Sequence, residues 1–316
     1  MSPFKEEKSK IQNDSDIDEI IDESVGPETE FGEKYFKSSL YKDAWRRLAR
    51  NKLAMVGLAI VIIMAVIALL APIIAPYNPN DRIKEVSQQG PSYQHWFGTD
   101  ILGRDIFSRV LYGTRISMLV GVVAVAISLA IGLFLGALSG FFGGVPDVFI
   151  MRIADIFFAF PYILGAIVIM TVLGPGILNI FIAIGILGWA SVARLFRSSI
   201  LSIKEREYIE AARAIGASNA RIILRHILPN SFAPIIVYST MNVGTAIIVE
   251  AALSFLGLGV QPPAPSWGKM LSESMSYINT APWLMFFPGL AILITVLGFV
   301  LLGDGLRDAF DPRLKR

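Results

Sequence analysis

Charged side chains inside long apolar runs are where this sequence could do chemistry. Glu250 lies about two helical turns from the end of the run 232–257. Charge in hydrocarbon is costly and marks function by default. A carboxylate there either lines a path for a solute or hydrogen-bonds locally to hold the turn Leu256-Gly257-Leu258-Gly259. Arg152 and Asp155, spaced i, i+3, can pair on one helix face and so serve structure or topology. Asp100, Arg104 and Asp105 cluster in a long polar loop, where they either dock a partner protein or pack against their own chain. None of these sets has the make-up of a catalytic centre. The chain has no cysteine and two histidines, His95 and His226, which excludes disulfides and thiolate metal sites and leaves no basis for a histidine metal centre. It contains no GxxxxGK[ST]; its one Gly-Lys pair, Gly268-Lys269, lacks the pattern, so it cannot bind nucleotide through a P-loop.

The elements that would position these residues are membrane helices. Of the 316 residues, 54% are hydrophobic and 17% charged, and the mean hydropathy is +0.58; soluble domains carry about 25% charge. The apolar residues come in blocks of about 20, the length that crosses ~30 Å of hydrocarbon as a helix. They do not alternate as the strands of a membrane barrel do. Six spans are expected in an all-α polytopic protein: Leu53–Ala75, Ile116–Phe142, Met151–Leu173, Ile177–Ala193, Phe232–Gly257 and Pro282–Gly303. Gly132, Gly136 and Gly140 form a small-residue row on the second, which lets helices approach closely and places it inside the bundle.

Residues 1–36 hold four Lys and eleven Asp or Glu, so they carry −7 of a total of +2 and leave +9 for the remainder. Residues 1–37 are read as a disordered acidic tail. Residues 38–52 follow as an interfacial amphipathic helix, with Tyr41, Trp45 and Leu48 on one face and Lys42, Arg46, Arg47 and Arg50 opposite. The six-span core is then 53–303, with a polar loop at 194–231, and 304–316 is a tail. With an internal N-terminus, sixteen Lys and Arg fall on the cytoplasmic side near the spans and six on the other. That bias predicts both termini in the cytoplasm.

The polar loop is the most specific stretch. Tyr208–Ile215 is predicted as a short helix ended by Gly216 in the left-handed region. Ser218 is predicted to cap a second helix, Asn219–Leu228, stopped by Pro229. Two helices meeting at a glycine corner make a rigid projecting knob. EAARAIGASNARIILRHILP, from Glu210 to Pro229, resembles the EAA signature of bacterial ATP-binding-cassette importer permeases. HWFGTDILGRDIFSRVLYGTRISM (95–118), EAALSFLGLGVQPPAPSWGKML (250–271) and GDGLRDAFDPRLKR (303–316) resemble the dipeptide, oligopeptide and nickel branch, in its C-type subunit. The likeness covers the chain from about residue 40; the acidic leader lies outside it.

The resemblance implies a type I importer permease (MetI-like) fold and a subunit that performs no bond chemistry and binds no cofactor. ATP would be used by two separate P-loop ATPase subunits. It implies a homologous second permease, an extracytoplasmic substrate-binding protein and a bacterial inner membrane, and no nucleic acid. On it, Ile209, Glu210, Ala211, Ala212, Ala214 and Gly216 form the ATPase-coupling contact, with Ala211 and Ala212 keeping the helix slim enough for a groove. Peptides are the expected cargo, nickel or another small solute the alternative. An ion-coupled transporter would place polar groups on broken helices in matching halves, and a structural or receptor protein has no need of the knob; co-purification with an ATPase separates these readings.

Overall fold

The computed structural model describes residues 42–311. Among them every regular element is helical, apart from an isolated bridge between Thr99 and Asp105. Helix α1 covers 42–50. Helix α2, Lys52–Ile74, begins where the Asn51 side chain accepts the Ala54 N–H at 3.2 Å. Helix α3 runs from Ile106 to Ala137 and continues through a π-helical turn, Leu138–Phe142, as one span of 37 residues. Helices α4, Gly144–Ala159, and α5, Tyr162–Leu173, follow, then α6, Ile177–Ile203. The polar loop holds α7, Glu207–Ala214, and a composite helix α8 over 219–230 with a π-helical middle, Ile222–Ile227. Helix α9 is Phe232–Phe255, α10 Trp267–Ser274 and α11 Trp283–Phe310.

Five of these helices are long and apolar enough to cross a bilayer, and six spans result if a bent pair counts as one. The pair is α4 with α5, which bend by 94°. This corrects the single span expected over Met151–Leu173. Pro161 lacks the N–H that would continue the helix and its ring crowds the preceding turn. The residue before it, Phe160, is forced to extended geometry at φ −105°, ψ 141°. With 12 residues, α5 is only ~18 Å long.

Other boundaries shift outward, and at α3 and α6 the polar residues stay helical because they find partners. Helix α3 starts ten residues before Ile116, capped by the Asp105 carboxylate on the Ser108 N–H at 2.7 Å. Helix α6 continues ten residues past Ala193 and carries Arg194 and Arg197, so 194–203 belongs to a span and not to the loop. Helix α11 reaches Phe310, which puts Asp304, Arg307 and Asp308 on the helix rather than in the tail.

The apolar face expected on α1 does not lie wholly in lipid. Ala44 and Leu48 are buried, with Ala54, Leu306, Ala309 and Phe310 around them, and the Arg47 guanidinium donates to the Asp311 carbonyl at 3.1 Å. Trp45 stays outward. Tyr41, the acidic tail and 312–316 lie outside the described residues.

The glycine row sits where expected and its partner is α6. A Cβ built on Gly132 would stand 2.4 Å from Val192 Cβ, on Gly136 2.8 Å from the Ala193 carbonyl oxygen, and on Gly140 3.0 Å from Ile200 Cβ. One turn earlier in the same row of α3, Ser128 donates to the Gly185 carbonyl of α6 at 3.0 Å. The two backbones are as close as residues without side chains permit. The main core gathers Ala124 of α3, Ile180 and Ile184 of α6, Ile247 and Leu253 of α9 and Phe299 of α11.

The candidate functional site

The first helix of the loop and its glycine corner fold as the sequence predicts, and the second helix runs past its expected stop. Glu207 and Glu210 lie in the first turn of α7 and Arg213 in the last, each favoured by the helix dipole. The helix ends in a Schellman turn: Ala217 N–H donates to the Ala212 carbonyl and Gly216 N–H to the Arg213 carbonyl, both at 3.0 Å. Gly216 has φ +90° and nothing within 4 Å of where a Cβ would be. The Ser218 hydroxyl then accepts the Arg221 N–H at 3.3 Å and starts α8. Helicity passes through Pro229 to Asn230, because Pro is tolerated in the first turn of a new helical segment.

The six residues of the expected coupling contact divide into two sets. Glu210, Ala211, Ala214 and Gly216 are exposed. Ile209 and Ala212 point inward and pack with Phe196 and Ile200 of α6, Ile222 and Ile227 of α8 and Ile235 of α9. The small size of Ala212 therefore serves this internal packing, while Ala211 lies on the exposed face. The knob is bolted to the ends of two spans and presents one face, with the Glu210 carboxylate free of ion-pair partners among the described residues.

Beside the knob is a device that sequence reasoning missed. Arg197 of α6 holds Asp147 of α4 through two hydrogen bonds of 2.6 Å, and Ser139 in the π turn of α3 also donates to that carboxylate. Lys204 reaches the Gly140 carbonyl at 3.5 Å. The Arg213 guanidinium of α7 lies 5.4 Å from the centre of the Phe141 ring, within cation–π reach. Knob, π turn, α4 and α6 are thus joined at one end of the bundle. The anticipated Arg152–Asp155 pair is exposed at 3.9 Å, and Asp155 has a closer partner in Arg194 at 2.8 Å.

At the opposite end the loop charges are internal. Asp100, Arg104 and Asp105 are buried, at 7%, 5% and 3% exposure. Asp100 caps its own loop through the Leu102 and Arg104 N–H groups at 2.8 and 2.9 Å and pairs with the Arg104 side chain. Arg104 continues to Glu273 at 2.9 Å, and Arg109 stands 3.6 Å from Glu273 and donates to the Pro79 carbonyl at 3.1 Å. Asp105 takes His95 at 2.9 Å. Charges this deep are tolerated because each is matched. Of the two roles left open for Asp100, Arg104 and Asp105, that burial favours packing against their own chain; the network locks the 76–105 loop onto α3 and α10.

Glu250 is fully buried. Ser117 of α3 donates to one carboxylate oxygen at 2.9 Å and Ser254 to the other at 2.7 Å. The Ser254 hydroxyl in turn accepts the Val260 N–H at 3.1 Å. Of the two roles left open, the geometry supports holding the turn at 256–260, and Glu250 lines no open path in this structure. No group of three His, Asp, Glu or Cys that could hold a metal occurs among the described residues.

Comparison with known proteins places these features in a family. Residues 132–316 match the family described as "Binding-protein-dependent transport system inner membrane component", and 39–94 match "N-terminal TM domain of oligopeptide transport permease C". The chain is 50% identical over 288 residues to a dipeptide transport system permease protein of Alkalihalophilus pseudofirmus, covering 90% of this chain and 93% of the relative. It is 51% identical over 276 residues to a glutathione transport system permease protein of Escherichia coli, covering 87% and 91%. The bundle of apolar helices with its knob is accordingly a transport permease subunit, and the chain belongs to the family of inner-membrane components of binding-protein-dependent transport systems.

Proposed function

We propose that this chain is the C-type permease subunit of an ATP-driven peptide importer. It forms half of the translocation path together with a homologous second permease. Nucleotide is bound by two separate P-loop ATPases, since this chain has no P-loop sequence, and cargo arrives on an extracytoplasmic binding protein. The relatives named for dipeptide and glutathione transport support peptide cargo. The basic residues on and beside α1, α7, α8 and α11 support a cytoplasmic location for both termini and the knob.

The observation that carries the reading is the exposed face of α7 next to the Gly216 corner, backed by apolar packing onto α6 and α9. A projection that is rigid within itself and fixed to two spans is suited to convert motion of an ATPase groove into helix displacement. Glu210, like Glu207, has no ion-pair partner among the described residues, and Glu210 would meet a basic group there.

The test is uptake of radiolabelled dipeptide with pull-down of the ATPase and blotted membrane levels. Glu210→Lys and Gly216→Val are each expected to abolish uptake at normal membrane levels. Because nothing lies near a Cβ at Gly216, Val acts there through backbone strain alone, ~1–2 kcal/mol for a left-handed residue. Normal uptake in both variants would remove the knob as the coupling element.

A further inference from the structure

We propose that Arg115 is a substrate-carboxylate subsite at the end of the bundle opposite the knob. The inference rests on the peptide-importer reading and adds to it a recognition element within the permease itself.

A cavity of about 620 Å³ opens between the end of α2, the first third of α3 and the 264–265 segment. Its polar lining is Tyr77, Asn78, Asn80, Tyr112 and Arg115. Its size is in the range that holds a small organic solute, ~300–1,000 Å³. The walls are fixed by buried anchors. Arg109 grips the Pro79 carbonyl on one side at 3.1 Å. On the other, the Trp267 indole donates to the Val110 carbonyl at 3.1 Å and packs against Gly113. Tyr77 is held by the Ser108 hydroxyl on its N–H at 3.2 Å and by its own hydroxyl donating to the Gln94 carbonyl at 3.1 Å.

Arg115 differs from three other arginines of the spans. Arg109, Arg194 and Arg197 each face a carboxylate. Arg115, six residues into the helix from Arg109, is exposed and has no carboxylate within 4 Å among the described residues. It stands roughly 14 Å along α3 from Ile106, level with the end of the apolar run of α2. A permanent cation held there beside amide and phenol groups is missing one thing, an anion. Guanidinium matches a carboxylate through two parallel hydrogen bonds. Every linear peptide with a free C-terminus brings one carboxylate whatever its side chains, so one fixed arginine can engage cargo of mixed sequence. The Asn78, Asn80 and Tyr112 side chains are placed to meet the peptide's amide groups.

The test uses the assembled importer in proteoliposomes, tritiated dialanine as probe and the substitution Arg115→Cys, for which this chain supplies no competing thiol. R115C is expected to reach the membrane, keep basal ATP hydrolysis and lose at least tenfold in uptake. A methanethiosulfonate that adds an aminoethyl group should restore more than half of wild-type uptake. One that adds a neutral hydroxyethyl group should not, and neither should alter the wild type. During turnover, reaction of the introduced thiol should slow at least threefold with dialanine-loaded binding protein compared with the unloaded protein. Unimpaired R115C, or restoration by both adducts alike, overturns the proposal. Equal reaction rates with and without dialanine also overturn it and assign Arg115 to lipid phosphate. If R115C does not assemble, Arg115→Lys and Arg115→Gln replace it: the first should keep at least half of uptake and the second under a tenth, and equal uptake overturns the proposal. A wild type that carries no dialanine sinks the importer reading as well; wild-type uptake with any overturning result removes this inference alone.

Discussion

Replacing Gly136 by Ala adds one methyl group to the α3–α6 seam, and the geometry fixes what that must do. The new carbon would stand 2.8 Å from the Ala193 carbonyl oxygen, 3.1 Å from Ala193 Cα and 3.2 Å from Phe196 Cβ. Two of the three neighbours are backbone, so no side chain can swing away. The helices must separate by roughly half an ångström, and a radial gap of ~0.5–1 Å forfeits a quarter to a half of each dispersion contact along the seam. Overpacking of this kind costs ~1–3 kcal/mol, against which the helix propensity of Ala returns up to ~1 kcal/mol. Gly289 of α11 is the internal control: its Cβ would find only Leu271 Cδ2, at 3.9 Å. Gly289→Ala should therefore be neutral or stabilising. The assay is thermal unfolding of the purified chain in detergent, followed by fluorescence-detected size exclusion. Gly136→Ala should unfold several degrees below wild type, Gly136→Leu should fail to accumulate, and Gly289→Ala should match or exceed wild type. Equal unfolding temperatures for Gly136→Ala and Gly289→Ala would refute close approach as the reason for the glycine row.

The Asp147–Arg197 pair is partly buried, and a double-mutant cycle with alanine at both positions should give a coupling of about 1–2 kcal/mol, read from unfolding midpoints; additive effects would show that the two bonds are dispensable. Glu250→Ala strips both serine hydroxyls of their acceptor and should cost about 1–3 kcal/mol. Glu250→Gln, which keeps a carbonyl oxygen in place, should cost less; the reverse order, measured in the same assay, would refute the turn-holding role. For topology, cysteines introduced at Tyr93, which is 97% exposed, and at Ser218 should label with an impermeant reagent from opposite sides, the first in intact cells and the second only after the cytoplasmic face is opened.

Much of this was legible in the sequence where local chemistry decides. The Gly216 corner, the Ser218 cap and the close approach at Gly132, Gly136 and Gly140 depend on residue type and spacing, and all three stand where expected. The break in the third span was also written in the chain, in Phe160-Pro161, but an unbroken apolar composition masks a bend that leaves hydropathy unchanged. What the sequence could not give were pairings across distance. Asp147 and Arg197 are 50 residues apart, and Arg104 and Glu273 are 169 apart. No periodicity relates them, so for Asp100, Arg104 and Asp105 a docking role and internal packing stay undecided until their partners are known. Glu250 likewise depends on Ser117 from another helix, 133 residues away.

The unbroken run of α3 has a mechanical meaning. At 37 residues it is a rod of about 55 Å, far longer than the hydrocarbon it crosses. One end is gripped by the charge lock around Arg104 and Arg109 and the other by Asp147, Lys204 and the knob. A rod held so stiffly works as a lever: tilting it by about 5° sweeps its far end through about 5 Å, on the length just given. Under the proposed coupling role, a displacement of the knob would be carried along this helix toward the cavity beside Arg115.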